Sequence, residues 1–232
     1  MSLWTPPPED APRRLADLRV TYDLGTLAPE DLPASPLEAF HGWFAETEAA
    51  GLPEPNAMIV STATAAGAPS SRTVLLKDAD SRGFVFYTNL QSRKSRELAE
   101  NPNASVVFPW FAIHRQVTVV GAAELIGRDE VEAYFHSRPR GSQLGAWASA
   151  QSTVIDGRDA LESRYTELVE QYGDDVEIPV PEFWGGWLIR PSAIEFWQGR
   201  PSRLHDRLRF RASVERANLS HANEWVLERL SP

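Results

Sequence analysis

The chain has 232 residues, a formal net charge of −9 and no cysteine. Without cysteine there are no disulfides, thiolate metal sites or Cys nucleophiles, and the acidic balance argues against a nucleic-acid surface, which needs a basic excess. No run approaches the roughly 20 apolar residues of a membrane span, and MSLWTPPPEDAPRR lacks the apolar stretch of a secretory signal, so a cytoplasmic protein is expected.

Residues 1–17, Pro-rich and polar, read as a mobile tail ahead of a single domain over 18–232. A helix is expected from Pro36, with Ser35 as cap, Glu38 completing a capping box and Gly51 as stop; Leu37, Phe40, Phe44 and Thr47 share its inner face. AMIVSTAT (57–64) and SSRTVLLK (70–77) read as a hairpin around AAGAP. The segment DADSRG is expected to be a turn leading into the strand FVFYTN (84–89). A short helix over 92–101 follows, stopped by Pro102, then strands at 104–110 and 115–126, helices at 128–136 and 157–171, and strands at 187–199, 205–211 and 224–230. Adjacent strands joined by short turns favour an antiparallel sheet or barrel with flanking helices over a doubly wound parallel sheet.

Rossmann, P-loop, HExxH and GxSxG signatures are missing, and His41, His114, His136, His205 and His221 are scattered, so no metal is expected. Four segments concentrate chemistry instead. Ser92-Arg93-Lys94 stands where a helix starts after a strand, which suits a phosphate; an ordinary Ser cap with two surface bases fits equally. In Arg72–Lys77, strand alternation puts Arg72, Val74 and Leu76 on one face and Thr73, Leu75 and Lys77 on the other. Tyr134 and Arg138, four apart on a helix, can meet an anion together with Ser142 beyond Pro139. If the chain after Pro201 is extended, Arg203, His205 and Arg207 share one side, near the flat wall of Trp197.

Together these segments resemble the pyridoxamine 5′-phosphate oxidase family. IEFWQGRPSRLHDR is similar to its C-terminal signature, and RTVLLK, FYTNLQSRKSRELAENP, FPW, RQV, YFHSRPRGSQLGAW, QS and FWGGW follow in the family's order, so that the likeness runs from about Leu18 to Pro232. The resemblance implies a mainly β, α+β fold: an antiparallel, FMN-binding split β-barrel that forms a homodimer. It implies oxidation of pyridoxamine 5′-phosphate and pyridoxine 5′-phosphate by O2 to pyridoxal 5′-phosphate, with release of H2O2. By that likeness FMN meets Arg72, Thr73, Val74, Leu75, Leu76, Lys77, Tyr87, Thr88, Arg93 and Lys94, and also Gln116, Gln151, Ser152, Trp197 and Arg207. The substrate phosphate meets Lys77, Tyr134, Arg138 and Ser142; Arg203 and His205 act at its ring; Arg19 and Tyr22 belong to a mobile segment that closes over it. Val20, Thr21 and the longer final hairpin at 214–223 depart from the family pattern. There are two rival readings, and Tyr134, Arg138, Ser142, Arg203 and His205 count against the first. One is a split-barrel flavin oxidoreductase for another aromatic substrate, and the other a non-catalytic FMN- or pyridoxal-phosphate-binding carrier, which has no need of Arg203 and His205.

Overall fold

A computed structural model describes Leu15, Leu18 and residues 20–232; the expected tail and Arg19 lie outside the described residues, apart from Leu15. Among the described residues, nine strands form one sheet in which every neighbour is antiparallel. The strands are β1 (Ala57–Ala63), β2 (Pro69–Leu75), β3 (Asp78–Asp80), β4 (Gly83–Asn89), β5 (Asn103–Trp110), β6 (Arg115–Leu125), β7 (Trp184–Gln198), β8 (Asp206–Ala212) and β9 (Trp225–Arg229). Their order is β2-β1-β5-β6-β7-β4-β3, with β8 and β9 continuing from β7.

The long strand β7 explains the split. Along one edge it pairs with β6. Along the other, Trp184–Ile189 pairs with β4 and Ala193–Gln198 with β8, so two half-sheets diverge from one strand. A register shift at Val120/Gly121 bends β6 against β7. There the Gly121 position lies so close to the Arg190 carbonyl that a Cβ would come within 2.0 Å of its oxygen, so only glycine fits the bulge.

The sheet curls around helix α1 (Pro36–Ala49), which Ser35 caps by accepting the Glu38 amide at 3.2 Å. The helix buries Ala39, Phe40, Trp43 and Thr47, with Leu37 and Phe44 half-buried; Ala39 and Trp43 widen the stripe read from the sequence. Phe40 packs edge-on to Phe84 at 4.9 Å, and Trp43 edge-on to Phe196 at 5.1 Å, in the main apolar core. The expected turn 78–83 is narrower than its sequence suggests. Asp78–Asp80 pairs with β4, because a three-residue strand carries too little alternation to announce itself.

A second, smaller core collects Val131, Phe135, Leu144, Leu168, Ile178 and Trp184. It is built by α3 (Arg128–Ser137), α4 (Arg140–Ala148) and α5 (Arg158–Tyr172) against the start of β7. Helix α4 is an element of its own: Pro139 ends α3 at Arg138 and restarts the helix at Arg140. Among the described residues, no helix is long and apolar enough to cross a membrane.

Candidate functional site

A cleft of about 990 Å³ opens between β2, β4, α2 (Arg93–Glu100) and α4, at the upper end of small-molecule sites. Arg72, Lys77, Arg93, Lys94 and Arg138 line it, and no Asp or Glu does. On a chain with a net charge of −9 this is a strong local reversal of sign.

Lys94 marks the deep end. Only 7% of it is exposed, and its ammonium donates to Thr88 Oγ1 at 2.9 Å, Gln151 Oε1 at 2.7 Å and Ser92 Oγ at 3.3 Å. All three acceptors are neutral. Burial, and then the nearby Arg72 charge, pull its pKa down to about 8. A buried ammonium with no carboxylate partner among the described residues stands ready for an anion. Arg93 and Arg72 flank it, both tied from behind to Glu97. Arg93 Nε reaches Glu97 Oε1 at 2.8 Å and Arg72 Nη2 reaches Oε2 at 3.5 Å. Glu97 also accepts from Ser70 at 2.6 Å and from Thr62. Burial pushes its carboxyl up, but the bonds from Ser70, Thr62 and Arg93 outweigh this and hold it at about 2. Nothing singled out Glu97 in the sequence; its spacing of four from Arg93 on a helix is the signal that finds it.

Farther out, aromatic rings form a wall. Tyr87 stacks on Tyr134 at 4.0 Å and 17°, and on Trp184 at 5.4 Å and 9°. Strand β4 supplies Tyr87, α3 supplies Tyr134, and β7 supplies Trp184, a residue the sequence offered only inside FWGGW. Arg138, at the α3–α4 break, lays its guanidinium 4.9 Å from the centre of the Trp184 ring. Its Nη1 is buried without a hydrogen-bond partner, and burial lowers its pKa. Ser142 lines the same cleft, as do Thr73, Val74, Leu75, Thr88, Gln151 and Ser152. Ser152 holds a positive φ of 71°, a conformation costing a non-glycine residue roughly 1–2 kcal/mol.

The expected ring-end residues lie elsewhere in the chain. Tyr22, Trp197, Arg203 and His205 line a second cleft of about 590 Å³ that shares no residue with the first. Gly186 stands opposite Tyr87, and Trp197 follows eleven residues later, about 35 Å along the strand. Tyr22 sits edge-on to His114 at 4.6 Å, to His205 at 5.7 Å and to Trp197 at 5.8 Å, over Gly199, where a Cβ would come within 2.9 Å of its ring. His205 Nδ1 accepts the Arg200 amide at 3.0 Å, which puts the proton of the neutral ring on Nε2. Burial and the Arg203 charge lower the His205 pKa. Residues 201–203 form a 3-10 turn, not the extended chain expected after Pro201. Ser202 and Arg203 have positive φ values of 60° and 63°, two adjacent strained residues that present Arg203 to solvent.

Three further expectations are placed outside both clefts. Leu76 is buried in the main core, its amide bonded to Asn56 O, because β2 ends at Leu75 and the alternation stops there. Gln116 lies opposite Trp197 on β6 and donates to Thr118 Oγ1 at 3.1 Å. Arg207 does not share a free face with Arg203 and His205: it makes two bonds to Glu195, at 2.7 and 2.9 Å, across the β7–β8 pair. The longer final hairpin is packed, with Ala217 and Leu219 fully buried.

A split antiparallel barrel with a cationic, aromatic-walled cleft is thus the class that fold and site define. Comparison with known proteins narrows it. The family described as pyridoxamine 5′-phosphate oxidase matches residues 44–172, and that described as the pyridoxine 5′-phosphate oxidase C-terminal dimerisation region matches 184–232. Proteins named pyridoxine/pyridoxamine 5′-phosphate oxidase are 54% identical in Salinispora arenicola, covering 94% of this chain and 96% of that one, and 52% identical in Frankia alni, covering 94% and 88%. The crystal structure of PhzG from Burkholderia lata in complex with tetrahydrophenazine-1-carboxylic acid superposes with a TM-score of 0.79 at 31% identity, covering 89% of this chain and 98% of that one. A pyridoxamine 5′-phosphate oxidase-related, FMN-binding protein of Nostoc punctiforme shares the fold, with a TM-score of 0.65 at 16% identity and coverage of 90% and 100%. The chain belongs to the pyridoxamine 5′-phosphate oxidase family, a family of oxidoreductases.

Proposed function

We propose that this enzyme oxidises pyridoxamine 5′-phosphate and pyridoxine 5′-phosphate to pyridoxal 5′-phosphate in the cytoplasm, in vitamin B6 biosynthesis and salvage. The cofactor is FMN and the acceptor is O2, with H2O2 released, and ammonia as well from the amine. The observation that carries this reading is the first cleft itself: five cations, no lining carboxylate, a buried Lys94 with neutral partners and an unpartnered Arg138 Nη1. Two separated anion seats with an aromatic wall between them suit a phosphorylated cofactor beside a phosphorylated ring.

FMN, when bound, supplies hydride acceptance from the substrate 4′ carbon and the return of both electrons to O2. The chain supplies the rest. Lys94, Arg93 and Arg72 hold the cofactor phosphate at the start of α2, with Thr88, Gln151 and Ser152 beside them. Arg138, Lys77, Tyr134 and Ser142 hold the substrate phosphate, and this remote anchor orients the reacting carbon. The site is complete in a homodimer: residues 184–232 match a dimerisation region, and the second cleft offers its Trp197, Arg203 and His205 to the first cleft of the other copy. The partner's Arg203 holds the pyridine ring and the partner's His205, neutral near pH 7, takes a hydrogen bond or proton there.

The test is H2O2 and pyridoxal 5′-phosphate production by the purified full-length protein. Pyridoxamine 5′-phosphate should be turned over, and pyridoxamine without its phosphate should lose about 100-fold or more in kcat/KM, the worth of one or two charge-assisted bonds. Equal turnover of both compounds defeats the proposal. So does a preference for a tricyclic carboxylate of the kind named with the Burkholderia lata structure, which restores the reading as a flavin enzyme for another aromatic substrate.

A further inference from the structure

Glu97 has no lining position in the cleft, yet four side chains from three elements converge on it. Thr62 on β1, Ser70 and Arg72 on β2 and Arg93 on α2 all donate to its two oxygens, and only 4% of the residue is exposed. Arg72 spends its other Nη donors on Thr62 Oγ1 at 2.6 Å, Val60 O at 3.3 Å and Ser70 Oγ, and among the described residues only its Nε has no protein partner. Arg93 gives only its Nε to protein, so both of its Nη groups are left for a ligand. Arg72, Arg93 and Lys94 bring three positive charges and Glu97 removes one, leaving two. A phosphomonoester carries about −1.5 to −2 near pH 7.

We propose that Glu97 is the positioning residue of this seat: it holds Arg72 and Arg93 in place and trims the local charge to +2, so that the cleft selects a dianionic phosphomonoester over the same molecule without its phosphate. The inference rests on the reading of the cleft as the FMN site. An arginine left free on an open surface must give up its rotamer freedom when it binds a ligand. An arginine already clamped by a buried carboxylate has given it up on folding, so less affinity is lost at binding.

The test titrates the full-length protein, freed of its flavin, with FMN and with riboflavin, following flavin fluorescence. In Glu97→Gln the side chain keeps its size and loses its charge. FMN affinity should fall roughly 10- to 100-fold, the worth of one or two bonds to charged groups, while riboflavin affinity stays within twofold. Thr62→Val, isosteric and outside the cleft, should weaken FMN several-fold with the same selectivity, and serves if Glu97→Gln does not fold. Loss of FMN and riboflavin affinity in equal measure reduces Glu97 to a structural carboxylate and overturns the proposal. Unchanged or tighter FMN binding overturns it too, since charge trimming without positioning tightens an anion seat when the carboxylate is removed. A parent protein that binds FMN and riboflavin equally fails at the earlier step, because the cleft is then not the FMN phosphate seat.

Discussion

Strand β7 supports two unlike surfaces. Beside β4, its Trp184–Ile189 half backs a cleft whose polar groups are cross-bonded and preset: Lys94 on three oxygens, Glu97 on four donors, and Tyr87, Tyr134 and Trp184 stacked in one cluster. Beside β8, its Ala193–Gln198 half ends in a surface where Arg203 is exposed, His205 half-buried, and Ser202 and Arg203 are held at positive φ. The cations of the first surface all come from one chain and are held there by its own oxygens and rings. The second presents reactive groups outward on strained backbone, which is what a contribution to a neighbouring copy's site requires. In the proposed roles one half anchors and the other does the chemistry, so substitutions in the two halves should fail differently.

The largest expected effect is at the anchoring half. Arg93→Ala with Lys94→Ala removes two charge-assisted bonds to the cofactor phosphate and should weaken FMN by about 10² to 10⁴-fold. Flavin absorbance remaining after gel filtration reads this directly, and full retention would break the assignment. At the presenting half, His205→Ala should keep FMN bound yet slow anaerobic flavin reduction at saturating pyridoxine 5′-phosphate by on the order of 10²-fold. Arg138→Ala should chiefly raise KM. An unchanged reduction rate in the His205 variant leaves Arg203 as the remaining candidate. The smallest effect is a pH dependence that sharpens the contrast. With Lys94 at about 8 in the free cleft, FMN affinity should be level from about pH 7, where the phosphate is largely dianionic, to that pH and fall above it by up to tenfold per pH unit, as the ammonium needed by the phosphate is lost. In Lys94→Met the slope should vanish, and a profile that persists in the variant assigns it to another group.

Much of this was legible in local patterns. Ser35 before Pro36 and the hairpin of β1 and β2 follow from cap and period, which short stretches of chain carry within themselves; α2 also starts after Ser92 as read, although the Ser92 hydroxyl bonds Ser95 and Lys94 and caps no amide. The seat at Lys94 was read from that helix start and two adjacent bases. Its partners Thr88 and Gln151, 6 and 57 residues away in the chain, entered only through the family resemblance, and their bonds to the ammonium only through the structure. Helix α4 was hidden behind Pro139, and β3 was too short to show a period.

Taken by itself, the sequence determined most of the element types, the antiparallel class, the family and a set of residue types suited to phosphate. Only the tertiary structure decided how those residues are grouped. It placed Arg72 and Arg93 on a common carboxylate, gave Arg207 to Glu195 and Leu76 to the core, and set Tyr22, Trp197, Arg203 and His205 in a cleft apart from Lys94 and Arg138. The reason is physical. Periodicity and capping are properties of neighbours in the chain, whereas the partner of a charge is set by which strands lie side by side, and β7 meets β4, β6 and β8 only after the sheet has closed.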